Sequence, residues 1–504
     1  MQRIGWAAVA IYLLAWTLLP PFLIESFPLD VVESLAWGRE WQWGYYKHPP
    51  LPPEVLHAFY LAFGKFGPFL LSQLCVVTTL WLVWLTGCRL MDKERALIGT
   101  VLTMGVAYYS WPTLEFNHNI AKMPLWAGIA YCYLAAWQDK QLHRWLMLGV
   151  LAALGMLSKY SMGLLLLCLG LFTILTPART LLRTPGPWLA LVVTLLCVAP
   201  HLHWLWETDG LPFAYTRDRA MADGSGTRLG ALVFLATQFG SHLPLLLVTA
   251  WAAWRTRKQL HIPFALKAPQ LKTSAPGYLL VIALGPGVLL TTLGLVQGLK
   301  LHDMWGSSMW PFSGLLVAAC LPTAWLSAIQ PRVFKGIAFW LLTVTVLAGV
   351  NLSVGSELRK RPSRVDWPAQ SLSTHAQDTW VKLSPCRLDV VAGDAWLAGL
   401  ITTATSDGPS ILINGNPAFS PWATPERLRT HGALWVWQDD NGQTSNLPPA
   451  ALGAAASYSA LQVHEGRWTI PWPRNRDGAP LHGQWRAYVP RHCADVTAAQ
   501  PSPK

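Results

Sequence analysis

Charge is scarce in this chain. Asp, Glu, Lys and Arg together make up 13% of its 504 residues, roughly half the share usual in soluble domains, so an aqueous surface cannot cover most of its length. Cysteine is also scarce, eight in all, and no Cys/His group has zinc-ligand spacing. No Walker A loop, no G-x-G-x-x-G and no H-E-x-x-H occurs, which leaves ATP-driven work and nucleotide binding by the usual loops without support. Internal repeats, low-complexity segments and coiled-coil heptads are missing too.

Hydrophobic residues, by contrast, reach 52%, with 29 tryptophans. Apolar runs near the length needed to cross a hydrocarbon core of roughly 30 Å recur from residue 6 to about residue 352, separated by short stretches that hold the charges. They predict about eleven spans, centred near Ala15, Thr78, Leu102, Ile129, Val150, Leu167, Val193, Leu235, Leu284, Leu316 and Leu342. The first follows Arg3 but lacks a small-residue cleavage site, so it reads as an uncleaved helix rather than a signal peptide. Most of the tryptophans suit interfacial anchoring, although sugar rings also stack on indole faces.

With the N-terminus inside, the charged connections fall on one side. They hold Arg3, Arg89, Lys93, Arg95, Lys140, Arg144, Arg179, Arg183, Arg255, Arg257, Lys258, Lys267, Lys272, Arg332 and Lys335 against Asp92, Glu94 and Asp139. Fifteen cations less three acids equals the formal charge of the whole chain, +12. This is the positive-inside bias, and it removes the need for nucleic acid to explain the basic character. An odd number of spans then puts the tail from about Val354 outside the cytoplasm. Cys386 and Cys493, the tail's two cysteines, suit a disulfide closing that domain in an oxidising compartment.

The outer loops are unequal. The first runs from about Ser26 to Gly67, and within it residues 53–66 read as an amphipathic helix on the membrane surface. Others lie at 115–119, 158–160, 207–228 and 298–308. The turn at Lys159 is read as a break between two short helices. Runs at 389–392, 410–414, 433–437 and 485–489 are strand-like, so the tail predicts a small α/β domain of roughly 140 residues. The expected organisation is a membrane module, 1–353, carrying the first loop 26–67, and a soluble domain, 354–504.

Polar residues concentrate on the outer face. Asp30 and Glu33 are three apart, so a short helix would put both carboxylates on one face, where they could serve as a general base and an orienting or metal-binding acid. Lys47 and His48 precede Pro49 and Pro50, which hold them in extended backbone suited to a phosphate at headgroup depth. Glu115, Asn117 and His118 share the second outer loop, and a metal or sugar contact is open for them. Lys159 is a cation at membrane depth, a costly placement that favours function. Arg217 and Arg219 could clamp a phosphate, though Asp218 beside them also allows a surface pair. Lys300, His302 and Asp303 precede M-W-G near the ends of two spans.

In their order along the chain, D-x-x-E, G-Y-Y-K-H-P-P-L, E-F-N-H-N ahead of K-M-P-L-W, G-M-L-S-K-Y, P-H-L-x-W and M-W-G-x-x-x-W-P resemble the GT-C glycosyltransferases of the ArnT and protein O-mannosyltransferase superfamily, families 39 and 83. The resemblance covers roughly residues 1–360. It implies an all-α polytopic membrane protein with a C-terminal α/β periplasmic domain in a bacterial inner membrane. The implied activity is inverting transfer of a sugar from a polyprenyl-phosphate donor to a lipid A, lipopolysaccharide, other envelope glycan or protein acceptor. It further implies Asp30 and Glu33 as catalytic acids, with two valines between them where other members have adjacent Asp-Glu. Lys47, His48, Lys159 and Arg217 then bind the carrier phosphate, while Tyr45, Tyr46, Glu115, Asn117, His118, Lys300 and Asp303 line the substrate site. The resemblance fixes no cofactor; a divalent metal ion is open, with Glu115 and His118 as candidate ligands. A secondary transporter or flippase is the competing reading; transporter sites, however, usually sit at the bilayer midplane rather than at helix ends.

Overall fold

The computed structural model describes residues 2–221, 228–260, 268–271, 276–406, 408–438, 461–474 and 479–494. Lys267, Lys272 and the side chains of Arg219 and Lys258 lie outside the described residues. The chain forms two compact units. One comprises residues 1–19, 47–52 and 65–348, the other 20–46, 53–64 and 349–504. Most of the first loop, expected to go with the membrane helices, thus clusters with the C-terminal residues.

The first unit is helical. All eleven expected span centres fall in helices, from Ala15 in Gln2–Leu18 to Leu342 in Leu326–Arg359. Eleven is nevertheless not established as the number of crossings. Among the described residues, five helices are long and apolar enough to cross a membrane, or six if the bent pair Met162–Leu175 and Pro177–Arg183 is one span. Lys93–Thr103 has 11 residues and Ser313–Cys320 has 8. At 1.5 Å per residue these reach only about 16 and 12 Å. Leu175, Leu196, Phe239, Phe339 and Leu342 are each more than half exposed, an arrangement suited to lipid rather than water. The chain is a multi-pass membrane protein.

The bundle is built by sequential packing: Gly67–Leu90 on His118–Asp139, that helix on Leu142–Ser158, and the latter on Pro185–Glu207. Glycine permits the closest approach, since a Cβ at Gly149 would stand 2.7 Å from the Ala190 carbonyl oxygen. Asp92 caps Lys93–Thr103 by accepting from the Arg95 amide at 2.8 Å. Arg95, expected as a loop cation, is instead 2% exposed and donates to the carbonyls of Ala318 (2.9 Å) and Leu321 (2.7 Å). It ties off the C-terminal end of Ser313–Cys320, where free carbonyls need partners.

The second unit has a five-stranded sheet in the order β2-β1-β3-β5-β4. β1 (Val390–Gly393) pairs in parallel with β2 (Ser410–Ile413) and with β3 (Ala433–Gln438). β5 (Leu481–Pro490) runs antiparallel to both β3 and β4 (Leu461–Ile470). Four of these strands overlap the expected runs; β4 does not. Val390, Leu412, Leu428, Trp435 and Tyr488 form a core cluster, and a disulfide joins Cys386 to Cys493. Helix Leu29–Gly38 packs on Leu397–Ala404, where a Cβ at Gly399 would lie 2.9 Å from Val32. Asp389 accepts both Nε (2.6 Å) and Nη2 (2.9 Å) of Arg427, a forked ion pair just before β1.

Candidate functional site

Within the first unit, three separate pieces of sequence bring cationic and imidazole groups together. Lys47 and His48 come from the Lys-His-Pro-Pro segment, where the backbone bends at residues 46–48. Asn117 ends the loop before His118–Asp139, its Oδ1 accepting from the amides of Asn119 (2.9 Å) and Ile120 (3.3 Å); its observed work is therefore that of a helix cap. The cap starts the helix at His118, whose ring meets that of His48 with centroids 4.0 Å apart. Leu142–Ser158 then ends and Met162–Leu175 begins, leaving a break at 159–161.

Two hydrogen bonds tie that break to the start of His118–Asp139. Lys159 Nζ donates to Asn119 Oδ1 at 2.6 Å, and Lys122 Nζ donates to Ser161 Oγ at 2.6 Å. Lys122 is wholly buried and stands over the Trp126 ring, 5.1 Å from its centroid. Lys47 and Lys159 both lie within electrostatic reach of His118, and Lys159 of Lys122. Lys47 also stands 5.5 Å from the Tyr215 ring centroid. The three lysines form a cradle around His118 and the break at 159–161. Next to it, Tyr160 bonds His201 Nε2 at 3.0 Å and packs against Phe213.

The remaining expected residues of this unit are placed differently. Arg217 shares the helix Leu211–Met221 with Tyr215 but is 69% exposed, with Asp218 at 3.7 Å, the surface pair that the sequence also allows. Asp303 Oδ1 accepts from the Met304 amide at 2.8 Å, while its carbonyl accepts from Tyr108 at 2.9 Å and Gln238 at 3.2 Å. Lys300 and Glu115 are half-buried. Among the described residues, the one group of three side chains able to share a metal ion is Cys386, His492 and Cys493. Two of its sulfurs are bonded to each other, and Glu115 and His118 belong to no such group.

In the second unit, Asp30 occupies the first turn of Leu29–Gly38, where the helix dipole favours an anion, and Glu33 follows one turn later at 7% exposure. Both carboxylates are thus on one short helix. Tyr45 and Tyr46 are buried at 2% and 5% exposure. Trp37 packs against both, and Tyr46 stacks on Phe419 at 4.4 Å. Both rings thus contribute to the packing of this unit.

Sequence reasoning missed Lys122, Asn119 and Ser161. A lysine four residues after His118 in an otherwise apolar helix was the available signal, since intramembrane ions are costly.

Residues 47–204 match the family described as dolichyl-phosphate-mannose-protein mannosyltransferase, a segment that includes every lysine of the cradle. No curated protein matches the chain in sequence. Two solved structures of ArnT from Cupriavidus metallidurans share the fold. The one described as bound to undecaprenyl phosphate has a TM-score of 0.61 at 13% identity, covering 99% of both chains. The apo structure has a TM-score of 0.58 at 13% identity, covering 100% of both. The chain has the GT-C fold of these ArnT structures, and its residues 47–204 are similar to that mannosyltransferase family.

Proposed function

We propose that the chain is an inverting glycosyltransferase that moves a sugar from a polyprenyl-phosphate carrier to a hydroxyl of a lipid, glycan or protein acceptor. The observation that carries this reading is the lysine cradle of Lys47, Lys122 and Lys159 in a bundle of membrane helices. A monophosphate leaving group carries growing negative charge as the anomeric C–O bond breaks, and fixed cations lower that barrier without any nucleotide. The fold shared with an ArnT described as bound to undecaprenyl phosphate supports a carrier of this type.

In the reaction, Asp30 or Glu33 takes the proton of the acceptor hydroxyl as its oxygen attacks the anomeric carbon. The carrier phosphate departs from the opposite side, and the configuration inverts. Lys47 and Lys159 bind that phosphate, His48 supports them, and Lys122 fixes the turn that carries Lys159. Any divalent ion would have to be held by the acids of the first outer loop or by Glu115, because His118 stands beside two lysines. The positive-inside charge pattern and the Cys386–Cys493 disulfide support a bacterial inner-membrane location, with residues 354–504 in the periplasm.

The test is to incubate purified protein in liposomes with undecaprenyl-phosphate sugars labelled in the sugar, together with envelope lipids and proteins. Free undecaprenyl phosphate with label on an acceptor supports the enzyme. Movement of intact labelled lipid across the bilayer without release would make the chain a transporter or flippase instead.

A further inference from the structure

With the carrier phosphate given to lysines, three buried polar atoms of the same cluster have no role so far: His118 Nε2, Trp126 Nε1 and Ser158 Oγ. Of these groups, only the imidazole both stands between two lysines and adjoins the Lys-His-Pro-Pro segment. His118 is 4% exposed, and its Nε2 is buried without a hydrogen-bond partner among the described residues. Buried polar atoms in folded proteins are almost always partnered, so Nε2 is open to a partner supplied by what the site binds. The ring is fixed in position, tilted against His48 at 4.0 Å between centroids, bonded to the Pro49 backbone and set at the start of a helix capped by Asn117.

The chemistry of that partner follows from the neighbours. The side-chain charges that reach His118 are those of Lys159 and Lys47, both positive. A proton added to the buried ring would sit beside two ammonium groups, and a divalent cation there would face the same repulsion. The imidazole is therefore a neutral ring with one N–H and one lone pair. A phosphate is better served by the lysines. A hydroxyl, able both to donate and to accept, pairs with either tautomer.

We infer that His118 Nε2 hydrogen-bonds a hydroxyl of the sugar carried on the polyprenyl phosphate, which makes His118 a specificity-determining residue for the donor. This inference rests on the donor reading above.

Affinity of the full-length protein in nanodiscs is measured for bare undecaprenyl phosphate and for undecaprenyl-phosphate mannose, glucose, galactose and arabinose, in wild type, His118→Ala and His118→Gln. The wild type is expected to bind its preferred sugar-bearing lipid more tightly than the bare lipid. His118→Ala should lose about tenfold on the sugar-bearing lipid, removing that preference, with less than about a twofold change on undecaprenyl phosphate. His118→Gln, which keeps a donor and an acceptor, should regain part of the loss. Equal weakening of both lipids in His118→Ala, no weakening of either, or a wild type without preference would overturn the inference while leaving the donor reading in place. A wild type that binds neither lipid type would overturn both.

Discussion

Removing the Cys386–Cys493 disulfide should destabilise the C-terminal domain by an amount that the structure allows to be worked out. The two cysteines are 107 residues apart in sequence. In the chain-entropy account, closing a loop of that length costs the unfolded chain about 4.8 kcal/mol at 25 °C. The unit that holds the bond has roughly 195 residues and unfolds with an entropy change near 0.4 kcal/mol per kelvin, so the midpoint should fall by roughly 12 °C. Both cysteines should be changed to serine together, because a single change leaves a free thiol at a buried position; Cys493 is 1% exposed. Pulse proteolysis of the full-length protein in detergent at stepped temperatures reads the domain's midpoint without requiring it to fold alone. Wild type treated with reductant should behave like the double variant. A shift below about 3 °C, or a wild type whose midpoint ignores reductant, would refute the bond or its stabilising role. The same bond bears on location, since it persists only in an oxidising compartment.

Other substitutions separate the roles assigned above. Asp30→Asn should lower transfer by about 10²–10⁴-fold, the range for a general base, with folding and polyprenyl-phosphate binding retained; if Glu33→Gln shows the larger loss, Glu33 is the base. Burial alone would raise the Asp389 carboxyl, but its hydrogen bonds to Arg427 and the nearby positive charges hold it below the usual carboxylate range. Its stabilisation is therefore present above the unfolded carboxylate value of about 3.9 and is lost as pH falls through the lower folded value. Thermal midpoints between pH 6 and pH 3 should show an acid-side loss that Arg427→Leu flattens. Lys122→Met should lower activity by loosening the Lys159 turn, and hydrogen exchange at 159–161 should rise in that variant; unchanged exchange would remove its positioning role.

Much of the fold was legible because its signals are local. Spans announce themselves as apolar runs, and every expected centre lies in a helix. The break at Lys159 was readable because a cation interrupts the apolar run there. The number of crossings was not readable, since Lys93–Thr103 and Ser313–Cys320 have span-like composition at a fraction of the length. β4 escaped notice because Gln462, His464, Glu465 and Arg467 dilute its apolar pattern, and its pairing with β5 is what defines it. At the site, Lys47, His48, His118 and Lys159 were all singled out, and the structure gathers them. Tyr45 and Tyr46 were expected beside a substrate because they adjoin Lys47, whereas their partners, Trp37, Trp422 and Phe419, include residues far along the chain. Lys122 was hidden because its partner Ser161 is 39 residues away.

The most direct test of the central claim is the affinity of the full-length protein for undecaprenyl phosphate before and after the two phosphate-binding lysines of the cradle lose their charge. Each lost charge-assisted contact should cost about 1.5–3 kcal/mol, so Lys47→Met with Lys159→Met should weaken binding by about a hundredfold or more, with the helical content and melting of the bundle preserved. Binding as tight as that of the wild type in this double variant would contradict the account.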